Sequence, residues 1–181
     1  MSMTEVANVY GEALYGLAKE EGLTETVLSQ LKTLDGCFAQ EPEYLRLLGA
    51  PNLPKAERCQ ILDDCFRGKV EPYVLNFLKI LTEKGYINQF DGCVQQFRSR
   101  YNEDNGILPV SCTSAVAISP ALQEKLIKKL AAITGKRIEL RCTVDPHCLG
   151  GLRLNYGGIQ LDGTVRHRLD QLKTTLSQTV L

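Results

Sequence analysis

The chain has 181 residues, 44% hydrophobic and 23% charged, and its 21 basic and 21 acidic side chains cancel. That composition suits one or two globular domains with a real core, and no apolar run is long enough to cross a bilayer. The opening Met1-Ser2-Met3-Thr4-Glu5 carries no basic block before an apolar one, so neither a secretory signal nor an Arg- and Ser-rich transit segment is expected.

The first region reads as helices. Ser2 and Glu5 are spaced as a capping box. Val6, Tyr10, Ala13, Leu14 and Leu17 follow at helical spacing, and Gly22 suits a left-handed stop. Thr24 is placed to cap a second helix with Leu28, Leu31, Leu34 and Phe38 on one face. Pro42 opens a short third helix bearing Tyr44, Leu45 and Leu48. Pro51 interrupts, and Pro54 opens a fourth with Ile61, Leu62, Cys65 and Phe66. Pro72 opens a fifth with Val74, Leu75, Phe77, Leu78 and Leu81, stopped by Gly85. The sixth repeats apolar residues at Ile87, Phe90, Val94, Phe97 and Tyr101. Short connections between amphipathic helices predict an N-terminal all-α six-helix bundle over residues 1–105.

The pattern changes at the polar stretch Asn102-Glu103-Asp104-Asn105-Gly106. Leu108, Val110 and Cys112 then alternate as a strand. Ser119-Pro120 opens a helix bearing Leu122, Leu126, Leu130 and Ile133, closed by Gly135. Ile138, Leu140, Cys142 and Val144 alternate with polar neighbours as a half-buried strand. Leu152 and Leu154, then Ile159 and Leu161, flank Gly157-Gly158 as a β-hairpin. A last helix carries Val165, Leu169, Leu172 and Leu176. Residues 106–181 are therefore expected to form a small α+β C-terminal domain.

Charge divides along the same line. Residues 1–105 hold 11 Lys and Arg against 16 Asp and Glu, while residues 106–181 hold 10 against 5. An acidic half and a basic half suit two different partners, although charge says little about fold.

The chemistry-bearing residues are few and scattered. Seven cysteines, at 37, 59, 65, 93, 112, 142 and 148, form no Cys-x-x-Cys pair, which fits a reducing compartment. With only His147 and His167 to help, they form no zinc spacing, and most read as small hydrophobes on apolar faces. Cys142, His147 and Cys148 are the material for a redox or metal protein, but adjacent side chains diverge and Asp145-Pro146 reads as a turn. The glycine pairs 150–151 and 157–158 match no phosphate-loop motif and read as hairpin turns. Lys125, Lys128, Lys129, Lys136, Arg137, Arg166, His167, Arg168 and Lys173 offer a nucleic-acid adaptor as another reading. They lack interleaved aromatics, so solvated helix faces explain most of them. Glu20-Glu21 and Asp63-Asp64 are neighbours whose side chains diverge, and read as solvated. No catalytic residue, metal or cofactor is expected.

The stretch from Val144 through Asp145-Pro146-His147-Cys148-Leu149-Gly150-Gly151 to Leu154 resembles the C-terminal signature of ATP synthase delta subunits. These are the bacterial and chloroplast relatives of the mitochondrial oligomycin-sensitivity-conferring protein. The similarity continues through Leu161-Asp162-Gly163-Thr164-Val165-Arg166-His167-Arg168-Leu169 and Leu172. Tyr10, Ala13-Leu14 and Leu17-Ala18 resemble the family's first helix, Asn76-Phe77-Leu78 and Leu81 to Gly85 its fifth, and Thr113-Ser114-Ala115 its first strand. The chain departs at Gly157-Gly158, where the family usually has Gly-Asp, at Asn8-Val9, where it often has Arg-Pro, and at Tyr86, where it commonly has Arg.

The resemblance implies a non-catalytic peripheral-stalk (stator) subunit, one copy per F-type ATP synthase, resisting rotor torque during proton-driven ATP synthesis. It implies a place on the cytoplasmic face of a bacterial cell membrane without insertion, no nucleic acid and no homo-oligomer. The six-helix domain would cap the catalytic head, taking an N-terminal helix of an alpha subunit between its helices one and five. Tyr10, Leu14, Leu17, Phe77, Ile80 and Leu81 are the corresponding residues, each either groove or bundle core. The second domain would bind the C-terminal ends of the b subunits, with Leu169, Leu172 and Leu176 either core or contact.

Overall fold

A computed structural model describes residues 3–50, 52–148 and 150–163. The capping role given to Ser2, the break at Pro51 and the last helix lie outside the described residues. The chain folds as two compact units, Met1–Tyr101 and Asn102–Leu181.

The first unit is helical. Its elements are α1 (Met3–Glu20), α2 (Thr24–Gln40), α3 (Pro42–Gly49), α4 (Lys55–Phe66), α5 (Pro72–Lys84) and α6 (Phe90–Asp104), the last entered through a 3-10 turn at Ile87–Gln89. Prolines occupy the first turn of α3 and α5, where a missing N–H costs nothing. Gly85 ends α5 at φ 76°, and the next N–H, from Tyr86, bonds back to the Leu81 carbonyl at 2.7 Å. Thr24 does not cap α2. Leu23 stands at the N-cap, and its N–H closes the end of α1 on Ala18 O at 2.8 Å, so the chain re-enters helix at once.

One apolar core runs through this unit, including Leu31, Leu62, Leu78, Leu81, Phe90 and Phe97. Phe38 lies at its aromatic centre, edge-on to Phe90 at 5.0 Å and stacked on Tyr44 at 5.9 Å. The buried face of α1 differs from the expected one. Ala7, Gly11, Tyr15 and Ala18 join Val6 and Leu14 inside, whereas Ala13 and Leu17 are exposed. The cause is close packing of α6. A Cβ on Gly11 would lie 2.6 Å from Cys93 O, and one on Gly92 2.9 Å from Ala7 Cβ. Small residues, not the largest apolar ones, mark that contact. Asp63 is not merely solvated either, because Lys79 Nζ reaches it at 2.7 Å and ties α5 to α4. Nearby, buried Arg58 donates from Nη1 to Leu48 O at 2.9 Å.

The second unit is α+β. Its described elements are β1 (Ile107–Ser114), α7 (Pro120–Thr134), β2 (Arg137–Val144), a 3-10 turn (Pro146–Cys148), β3 (Leu152–Tyr156) and β4 (Ile159–Asp162). The polar stretch expected to separate the regions is partly helical, since α6 runs on to Asp104. The sheet order is β2-β1-β3-β4, with β1 parallel to β2 and the other pairs antiparallel. A helix between β1 and β2 is what a parallel pair requires. Gly157 and Gly158, at φ 52° and 80°, form the two-residue turn joining β3 to β4. The core joins Val110, Leu130 and Ile138 with Leu126, Ile127, Ala131 and Leu140. The apolar stripe of α7 is thus rotated from the expected one: Leu122 is exposed, and Ile133 is 78% exposed.

Candidate partner-binding seam

The six residues singled out on the first and fifth helices fall into two groups. Leu14, Phe77 and Leu81 are buried, and all three belong to the core of the helical unit. Tyr10 is half-buried, Leu17 is 37% exposed and Ile80 is 44% exposed. These three are the surface-accessible members.

Neighbouring contacts establish which way each helix is turned. One flank of α1 belongs to α6, through Ala7, Gly11 and Tyr15, whose ring meets Phe97 edge-on at 5.3 Å. On the same side Glu12 accepts from Arg100 at 2.6 Å. The other flank carries Tyr10, Ala13 and Leu17, spaced three and four apart. Tyr10 meets the ring of Tyr86, just past the end of α5, at 6.1 Å. At the opposite end Tyr73, in the first turn of α5, lies beside the Glu21 carboxylate just past α1, whose charge raises its phenol pKa. The two helices therefore run antiparallel along a seam.

On α5, Lys79 and Glu83 face α4, the first paired with Asp63 and the second accepting from Cys59 Sγ at 3.7 Å. The flank toward α1 holds Tyr73, Phe77 and Ile80, again three and four apart. Counting from the Glu21–Tyr73 end at about 1.5 Å per residue, Leu17 stands level with Phe77 and Ile80 roughly one turn further along. Tyr10, Ala13, Leu17, Tyr73, Phe77 and Ile80 thus border one seam. Sequence reading missed Ala13 and Tyr73 as borders, although the matched spacing of the two triplets carries the signal.

The C-terminal signature builds local architecture. Asp145 Oδ1 accepts the His147 N–H at 3.0 Å, and Oδ2 lies 3.9 Å from the Cys148 thiol that donates to it. The Asp145 N–H bonds Ser114 O at 2.8 Å, fastening the loop to the end of β1. Arg153 Nε donates to Asp162 Oδ2 at 2.9 Å across the β3–β4 pair. The glycines beside this loop, Gly150 and Gly151, both have positive φ, 149° and 83°. Cys148 is buried while His147 is exposed. Among the described residues no group of three or more His, Cys, Asp or Glu side chains converges on a metal-sized site. Leu169, Leu172 and Leu176 lie outside the described residues.

Comparison with known proteins agrees with the signature and with the fold. A structure of the Toxoplasma gondii mitochondrial ATP synthase hexamer contains a chain that matches with a TM-score of 0.75 at 20% identity, covering 94% of this chain and 96% of that one. The ATP synthase subunit delta of Chlorobium luteolum is 31% identical over 98% of both chains. That of Halalkalibacterium halodurans is 32% identical over 97% of both, and that of Clostridioides difficile 30% over 97% of both. The profile of the family described as ATP synthase delta (OSCP) subunit matches residues 6–176. The chain belongs to the ATP synthase delta (OSCP) subunit family, the peripheral-stalk subunits of F-type ATP synthases.

Proposed function

We propose that the chain is a mechanical linker: residues 1–105, as a six-helix bundle, grip alpha subunits of the catalytic head, and residues 106–181 grip the C-terminal ends of the b subunits. It performs no chemistry of its own and works on the cytoplasmic face of a bacterial membrane. No described helix is long and apolar enough to cross a membrane.

The observation that carries the reading is the exposure of Leu17 and Ile80 on the flanks where α1 and α5 meet. An amphipathic N-terminal helix of an alpha subunit, laid along the seam, would cover both while resting on Tyr10 and Phe77. Leu14 and Leu81 form the floor beneath. Full burial of an aliphatic side chain contributes about 1.5–3 kcal/mol, so two anchors supply a useful part of a reversible contact.

Calorimetric titration of the full chain with a peptide from the N-terminus of its cognate alpha subunit tests this. Leu17→Asp and Ile80→Asp are each expected to weaken binding at least ~10-fold, equivalent to ~1.4 kcal/mol, with melting temperature unchanged. Equal affinity in both variants would remove the seam as the docking site.

A further inference from the structure

Cys112 and Cys142 are direct partners across the parallel β1–β2 pair. Partners in adjacent strands sit about 4.8 Å apart, inside the range of about 4.4–6.8 Å between the Cα atoms of a disulfide. In-register residues also point to the same sheet face, and the two thiols lie close enough for Cys142 to raise the Cys112 pKa, after burial. Their surroundings differ. Cys112, on the inner strand, is fully buried, whereas Cys142, on the edge strand β2, is exposed. All seven cysteines are free, and the five others enter no contact with one another in the hydrogen-bond network described.

We propose that Cys112 and Cys142 form a redox modification site, closed to a disulfide by thiol–disulfide exchange with a small-molecule disulfide. Exposed Cys142 is the entry thiol. Its thiolate attacks one sulfur of the reagent, forming a mixed disulfide and expelling one small thiolate. Cys112 then loses its proton and attacks Cys142 Sγ, expelling the second small thiolate. The protein loses two electrons and two protons, and the reagent, gaining both, leaves as two thiols. Burial, then the neighbouring Cys142, pushes the Cys112 thiol up to about 11, which suits a resolving thiol shielded from direct attack. The bond staples the edge strand β2 to β1, just before the loop that Asp145 organises. This chemistry depends only on the sheet of the second unit, so it stands or falls apart from the alpha-subunit contact.

The test is peptide mapping, under non-reducing conditions, of the full chain incubated with oxidised glutathione. The expected product is two hydrogens lighter and contains one linked Cys112–Cys142 peptide. In Cys112→Ser, Cys142 is expected to keep a stable glutathione adduct; in Cys142→Ser, Cys112 is expected to stay reduced. Because Cys142 is exposed, the second variant leaves the core untouched. A stable glutathione adduct on Cys142 of the unaltered chain would overturn the proposal, as would both thiols remaining free while exposed Cys37 reacts.

Discussion

Leu17 and Leu81 are both aliphatic and both on the helices that border the seam, yet their environments separate their roles. Leu81 is fully buried, so Leu81→Ala is expected to lower stability by about 2–5 kcal/mol, measured by denaturant melts. Leu17→Asp is expected to leave stability within about 0.5 kcal/mol while weakening the proposed alpha contact. Gly11 makes the opposite point about size. A methyl there would meet Cys93 O at 2.6 Å, so Gly11→Ala is expected to cost about 1–3 kcal/mol despite its better helix propensity. Unchanged stability in Gly11→Ala would mean that α1 and α6 are not held as closely as described. Thiol labelling offers an independent check on burial. The Cys93 thiol is pushed up to about 11 by burial, so at pH 8 it is expected to resist alkylation while exposed Cys37 is modified.

At the scale of elements, starts and stops were legible because proline and glycine carry backbone constraints independent of tertiary context. Pro42, Pro72 and Pro120 all stand in first helical turns, and Gly85 and Gly135 end their helices at φ 76° and 67°. The Gly157-Gly158 hairpin was legible for the same reason, and Gly158→Ala, at φ 80°, is expected to cost about 1 kcal/mol by thermal melting. Faces were harder to read. Ala7 and Gly11 lie inside α1 and Leu17 outside, because the approach of α6 selects small residues that hydropathy does not mark. On α7 the choice between Leu122 and Ile127 as the inner residue depends on how the helix crosses the β1–β2 pair, which spacing alone leaves open. The same limit applies to the seam. Spacing offered six apolar candidates, but which are buried and which border the seam required the Tyr10–Tyr86 and Lys79–Asp63 contacts.

For the whole molecule, the signature and the family agree on a stalk subunit, and the structure shows the most specific motif holding its own loop and sheet together. Asp145, Arg153 and Asp162 spend their charges on the sheet and its loop. The acidic and basic halves of the chain suit opposite partners and would speed correct encounter more than they deepen affinity. A linker must transmit force without moving, so losing one grip should uncouple the synthase without stopping hydrolysis. The most direct measurement is ATP-driven proton pumping in membranes stripped of this subunit and reconstituted with purified chain. The unaltered chain is predicted to restore pumping, and Leu17→Asp/Ile80→Asp to fail, with ATP hydrolysis equal in both. Equal pumping with the double variant, or pumping in stripped membranes with no chain added, would contradict a stator role exerted through the α1–α5 seam.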